Sequence, residues 1–298
     1  MGLNGTAAVV GVADYPNERK YAGPRKFFLE QWAELTHMAL EDAGLAKSDI
    51  DGICCSSIPE TSMFAPATIA EYLGLHVNFA ETVDLGGASC VSMIWRAAAA
   101  IELGLCQAVV CAAPALPMPS NPNPRPFDPT RVFGSTSANW GSPQAEFDVP
   151  YGNVAQNAGY ALIARRYAAE YGYDERALAK IAADQRTNAQ GNPNAVFYGQ
   201  PIDVEDVLAS RMIADPLHIL EIVMPCAGGS AVIVASPWVR GRVPSAYFSG
   251  RARHNGAYTH PYSGEHQPVP TKPARPTLHR LPGGRPRRRR GALARPRA

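Results

Sequence analysis

A chain of 298 residues with 46% hydrophobic and 18% charged residues sits in the globular range, with apolar material for one large or two modest cores. It holds no run of about 18 apolar residues, so no transmembrane helix is expected, and its first residues, Met1-Gly2-Leu3-Asn4-Gly5-Thr6, lack the basic start and cleavage site of a secretory leader. The formal charge of +2 hides two compositions: 16 basic and 25 acidic residues up to Gly250, then 12 basic residues against Glu265 alone.

Up to about residue 240, strands and helices alternate. Ala7-Ala8-Val9-Val10-Gly11-Val12 is a continuous apolar run, as for a strand buried on both faces. Phe28, Trp32, Leu35 and Ala39 recur at helical spacing, and Gly44 ends that helix. Asp49 to Cys55 reads as a second strand, Pro66 to Leu73 as a helix opened by proline, and Glu81 to Leu85 as a third strand. Gly86-Gly87 turns into a helix from about Ser89 to Leu103, ended by Gly104, and Ala108 to Ala112 is a fourth strand. The β-α-β-α-β-α-β order predicts an α/β layered fold.

From Pro114 to Pro150 the chain is rich in proline and too long for a simple connection. It begins an excursion, about 114–200, expected to cover a site or an interface. Helices are predicted at Asn153 to Tyr171, from an N-cap at Asp174 to about Asn188, and from Asp203 to Leu208, with a last buried strand over Gly229 to Ser236. Tyr151 and Asn153, just after the proline-rich stretch, are candidate pocket hydrogen-bond donors. Arg165-Arg166, with Tyr167 and Tyr171, is either a solvated helix face or a contact for phosphates.

The six cysteines fit neither a disulfide framework nor a zinc site, and read as reduced, mostly buried thiols of a cytoplasmic protein. The vicinal Cys54-Cys55 reads as structural rather than metal-binding. No G-x-G-x-x-G accompanies the first strand, which leaves it a buried strand rather than a nucleotide site.

The order Val83-Asp84-Leu85-Gly86-Gly87, the helix with Trp95-Arg96-Ala97-Ala98-Ala99-Ala100-Ile101, and Gly104 is similar to thiolases and related condensing enzymes. Asn192-Pro193-Asn194-Ala195, Val204 to Leu208, Ala214-Asp215-Pro216-Leu217 and Cys226-Ala227-Gly228-Gly229-Ser230-Ala231-Val232-Ile233-Val234 extend the resemblance to roughly residues 5–240. The lipid-transfer-protein or sterol-carrier-type branch is nearest. Ala227 stands where that family's last pattern has an acidic residue.

The resemblance implies a thiolase-like N-terminal βαβαβαβ repeat over residues 1–245, acting on acyl-CoA thioesters of lipid or steroid type, with no cofactor beyond the coenzyme A of the substrate. It implies a homodimer through strand Ala80–Leu85, and, for thiolase-like aldolases, an OB-fold, zinc-ribbon partner protein. The family's nucleophilic cysteine opens the buried helix after the third strand. Counting back the family's 17 residues from Gly104 reaches Gly87, and Cys90 lies three residues further along. Three residues turn a helical side chain by about 300° and raise it about 4.5 Å. Cys90 is therefore either a displaced nucleophile or a small core residue facing packing partners. Gly87 at the nucleophile position favours an aldolase over a thiolase. A catalytically inactive fragment or dimerisation module is the rival.

The resemblance also implies a second repeat with His-containing motifs, and no match to them is found in this sequence. Residues 246–298 read as an irregular basic tail in which Arg287 to Arg290 is unbroken. A frameshifted or truncated reading explains both. Arginines without interleaved aromatics, on an acidic body, argue against nucleic-acid binding.

Overall fold

A computed structural model describes residues 5–61, 63–122, 141–153, 155–240 and 248–249. Six strands form one sheet in the order β3-β2-β4-β7-β1-β8, from β1 (Ala8–Asp14), β2 (Gly52–Cys55), β3 (Phe79–Thr82), β4 (Ala108–Pro114), β7 (Gly229–Ala235) and β8 (Phe248–Ser249). β2 runs parallel to β3 and β4, and β7 is antiparallel to both β4 and β1. Antiparallel pairing on both sides of β7 leaves β1 pointing the same way as β4. The carboxyl ends of β1 to β4 and the start of β7 thus share one end of the sheet.

Successive residues of the strands face opposite sides. Val10, Ile53, Val110 and Ile233 enter one core with α1 (Phe28–Ala43) and α2 (Ala65–Leu73). Val9, Cys54, Val109 and Val234 enter the other, against Met93, Ala97 and Ile101 of α3 (Ser89–Glu102). That two-sided burial is why these strands read as unbroken apolar runs. α1 comes very close: a Cβ built on Gly11 of β1 would lie 2.4 Å from the Ala39 carbonyl oxygen. Glu60 accepts the Phe28 and Leu29 amides at the start of α1 (2.5 and 3.4 Å), a use of its carboxylate that favours that helix end.

Between β4 and β7 lies a lobe of α4 (Gln156–Tyr171), α5 (Glu175–Ala189), α6 (Val204–Ala209) and a hairpin, β5 (Met212–Ala214) with β6 (Leu217–His218), which runs past the expected bound near residue 200; a short α7 (Pro237–Arg240) follows β7. Asp174 and Asp203 cap α5 and α6 as expected, accepting from Arg176 N and Asp206 N. The hairpin is new relative to the sequence reading. The third strand also moves: it ends at Thr82, not Leu85; the Val83 amide still bonds the Cys55 carbonyl of β2 (2.7 Å), but the Leu85 amide bonds Ser89 Oγ as the chain turns. β8 pairs with β1 beyond residue 245, and the expected tail otherwise lies outside the described residues. Among the described residues, no helix is long and apolar enough to cross a membrane.

Candidate active site at the carboxyl ends of the strands

The turn after β3 is closed by one side chain. Ser89 Oγ accepts the Leu85 amide (2.9 Å) and donates to the Gly86 carbonyl (2.8 Å), so the hydroxyl ties both ends of the turn together. Gly86 takes φ +57°, a left-handed conformation suited to glycine. Gly87 follows inside a single 3-10 turn, Gly86–Ala88, with nothing within 4 Å of a Cβ built on it. Space for a side chain is therefore present at Gly87, the position where the resemblance expects a nucleophile.

Cys90 corrects one branch of the sequence reading: it is exposed, not packed among core partners. The buried stripe of α3 runs through Ser89, Met93, Ala97 and Ala100. Cys90 is one residue, about 100°, off that stripe. It borders a small cleft of about 50 Å³ with Met93, Ile94, Cys111 and Ala231. Three other thiols near the sheet have raised pKa values. Burial pushes Cys106 up to about 12 and Cys55 up to about 11. A hydrogen bond with Cys54, then burial, raises Cys111 well above the usual thiol range.

The remaining candidates do not converge on this end. Tyr151 is 86% exposed. Asn153 turns back to donate its Nδ2 to Asp148 (3.2 Å). Neither borders the cleft beside Cys90. Arg165 pairs with Asp215 and Arg166 with Glu170, which makes the solvated face the better reading of that pair. Among the described residues, no group of three or more His, Cys, Asp or Glu is placed to hold a metal ion.

One arrangement escaped the sequence reading. His218 and Glu221 are both buried: the Glu221 carboxylate accepts the His218 amide (2.6 Å) and lies 3.2 Å from its Nδ1. Burial, then the charge of Glu221, raises the pKa of Tyr173 beside them. The H-x-x-E spacing was its one signal in the sequence.

No protein-family model matches the chain. Over 234 residues it is 30% identical to the 17-hydroxy-3-oxo-4-pregnene-20-carboxyl-CoA lyase of Mycobacterium tuberculosis, covering 78% of this chain and 58% of that one. The structure matches the Ltp2-ChsH2(DUF35) aldolase with a TM-score of 0.66 and 28% identity, over 81% of this chain and 58% of that one. It also matches a monomeric SCP2-thiolase like protein from Mycobacterium smegmatis, with a TM-score of 0.55, 19% identity and coverage of 82% and 48%. These relatives are thiolase-like, and over the part it shares with them the chain resembles the thiolase superfamily. It spans about half to three-fifths of the length of these relatives. The thiolase-like α/β fold expected from the sequence is the fold observed. In it, the turn at Gly87 and the first turn of α3 lie outside the carboxyl ends of the strands, where open α/β sheets place their ligands.

Proposed function

We propose that this thiolase-like chain handles an acyl-CoA thioester of steroid or other lipid type and supports carbon–carbon cleavage by a retro-aldol route. Gly87 carries the reading: where the resemblance expects a nucleophilic cysteine there is no side chain, and Cys90 belongs to the helix beyond. A retro-aldol needs no covalent enzyme intermediate. A base takes the β-hydroxyl proton and the Cα–Cβ bond breaks. Cβ leaves as a ketone carbon, and the electron pair enters the thioester enolate, which is then protonated at Cα. Amide groups at the start of α3, at the positive end of its dipole, are the candidate donors to the enolate oxygen. The lyase and aldolase names of the relatives support this reading. The two-component name of the aldolase supports a partner protein, for which we propose the OB-fold, zinc-ribbon type.

The test is turnover of a β-hydroxy steroid acyl-CoA by the full chain, alone and with such a partner. Ketone and shortened acyl-CoA should appear in equal amounts, and prior alkylation of Cys90 should not matter. A requirement for free coenzyme A, or an acyl group trapped on Cys90, would overturn the reading in favour of a thiolase. No turnover with or without the partner would favour the inactive module.

The proposed homodimer uses the sheet edge at β3. Val83 N–H faces β2, so by alternation the outward donors are those of Ala80 and Thr82. Thr82→Pro should then convert a dimer to monomer in sedimentation. A wild-type monomer removes the proposal.

A further inference from the structure

A larger cavity, about 500 Å³, lies in the lobe. Its walls are apolar: Leu178, Ile181 and Ala182 of α5 meet Leu217, Ile219 and Ile222. Volume and lining are those of a site for one small organic ligand.

Its polar end is built separately. The Arg186 guanidinium lies over the Phe197 ring, 4.0 Å from the centroid, and donates to the Gln200 carbonyl at 2.8 Å. Arg19 stands 5.6 Å from the centroid of the same ring, its Nη2 3.9 Å from Met224 Sδ. Phe197, Arg186 and Met224 all line the cavity, which puts Arg19 at its rim. Arg96, Arg165, Arg166 and Arg176 each pair with a carboxylate; among the described residues, Arg19 and Arg186 do not. Burial, then the charge of Arg19, lowers the pKa of Arg186. Among the described residues the one carboxylate in the lining, Glu221, accepts from His218.

The rim is preformed. Gln190 Nε2 donates to the Arg186 and Phe197 carbonyls, and Gln190 Oε1 accepts the Gly199 amide. This geometry holds two guanidiniums against one aromatic ring beside the apolar side of the cavity, and neither pairs with a carboxylate among the described residues.

We infer that the lobe cavity binds a small amphipathic anion, its apolar body among Leu178, Ile181 and Ile222 and its carboxylate or phosphate head on Arg19 and Arg186. The inference is independent of the reaction proposed at the strand ends. It is tested by calorimetric titration of the full chain with decanoate, decyl phosphate and decanol. The anions should bind at least about tenfold more tightly than decanol, as for a charge-assisted hydrogen bond, and the tighter of the two identifies the head group. Arg186→Gln and Arg19→Gln should each weaken the anions about tenfold and leave decanol unchanged. Among the described residues Arg19 holds no backbone group, so its variant keeps the test open if Arg186→Gln misfolds. Ala182→Trp, which fills the chamber with both arginines in place, should abolish binding. The inference falls if neither anion binds, if decanol binds equally well, or if Arg19→Gln binds decanoate like the wild type.

Discussion

α1 and α4 are both 16 residues long, and they are used in opposite ways. α1 buries seven residues, including Trp32, Leu35 and Leu40, on the face that meets the sheet. α4 buries Ala161 alone and leaves Tyr160, Ile163, Tyr167 and Tyr171 more than half exposed. Its inner stripe is small, Ala161, Ala164 and Ala168, and its outer stripe is aromatic. The body is therefore held by bulky side chains locked into a core, the lobe by close approach of small ones and by exposed ion pairs such as Arg165–Asp215. Exposed pairs contribute little, so the lobe belongs to the part of the molecule that opens first. The strand ends sit on the rigid part, and the arginine-rimmed cavity on the yielding one.

Trp32→Ala is the hardest blow to this contrast. It should cost about 3–5 kcal/mol in denaturant unfolding, whereas Tyr167→Ala should stay within about 0.5 kcal/mol. Comparable losses would erase the distinction. Two glycines sharpen it. In Gly11→Ala the new Cβ meets Ala39 O at 2.4 Å and Ala43 Cβ at 2.8 Å, and the cost should be about 1–3 kcal/mol. In Gly159→Ala, inside α4, the Cβ meets nothing within 4 Å, and the helix should gain about 0.5–1 kcal/mol. The melting temperature should move in opposite directions in the two variants.

Alkali gives a smaller effect confined to the body. Cys55 and Cys106 have pKa values raised by folding, to about 11 and about 12. Their contribution is complete below the unfolded thiol value, near about 8.5, and is lost as pH rises through the folded values. Cys106→Ala should flatten the decline of stability above that point. Smallest of all is a difference in labelling: among the described cysteines, exposed Cys90 should react with iodoacetamide first, with Cys54, Cys55, Cys106 and Cys111 protected until unfolding.

The body was legible because its residues obey one period at a time. Val109 and Val110 are both buried, on opposite faces, so the strand shows as an apolar run. The error at the third strand has the same origin. Val83 is buried and apolar but lies beyond the strand, in the core under α3. Cys90 was misjudged because an alanine-rich helix gives no contrast between its faces; only the positions of Ser89, Met93 and Ala97 reveal which side is inward. The lobe cavity was illegible for another reason. Its walls come from stretches near 178–189, 197–202 and 217–224, and no local period records their meeting. Arg19, far earlier in the chain, joins them only in space.

The place of β7 in the sheet has a consequence for the order in which the molecule is made. Among the described residues β1 is paired with β7 and β8 and never with β4, so the backbone ladder between the first strand and the β3-β2-β4 group runs through residues 229–235. A ribosome has then built β1, β2, β3, β4 and the whole lobe before the strand that joins them emerges. Until that moment Ala108–Pro114 presents an open ladder edge, and β1 waits with only α1 to lean on. The nascent chain carries its widest exposed strand edges longest, and the stretch most worth shielding during synthesis is the one awaiting its last partner.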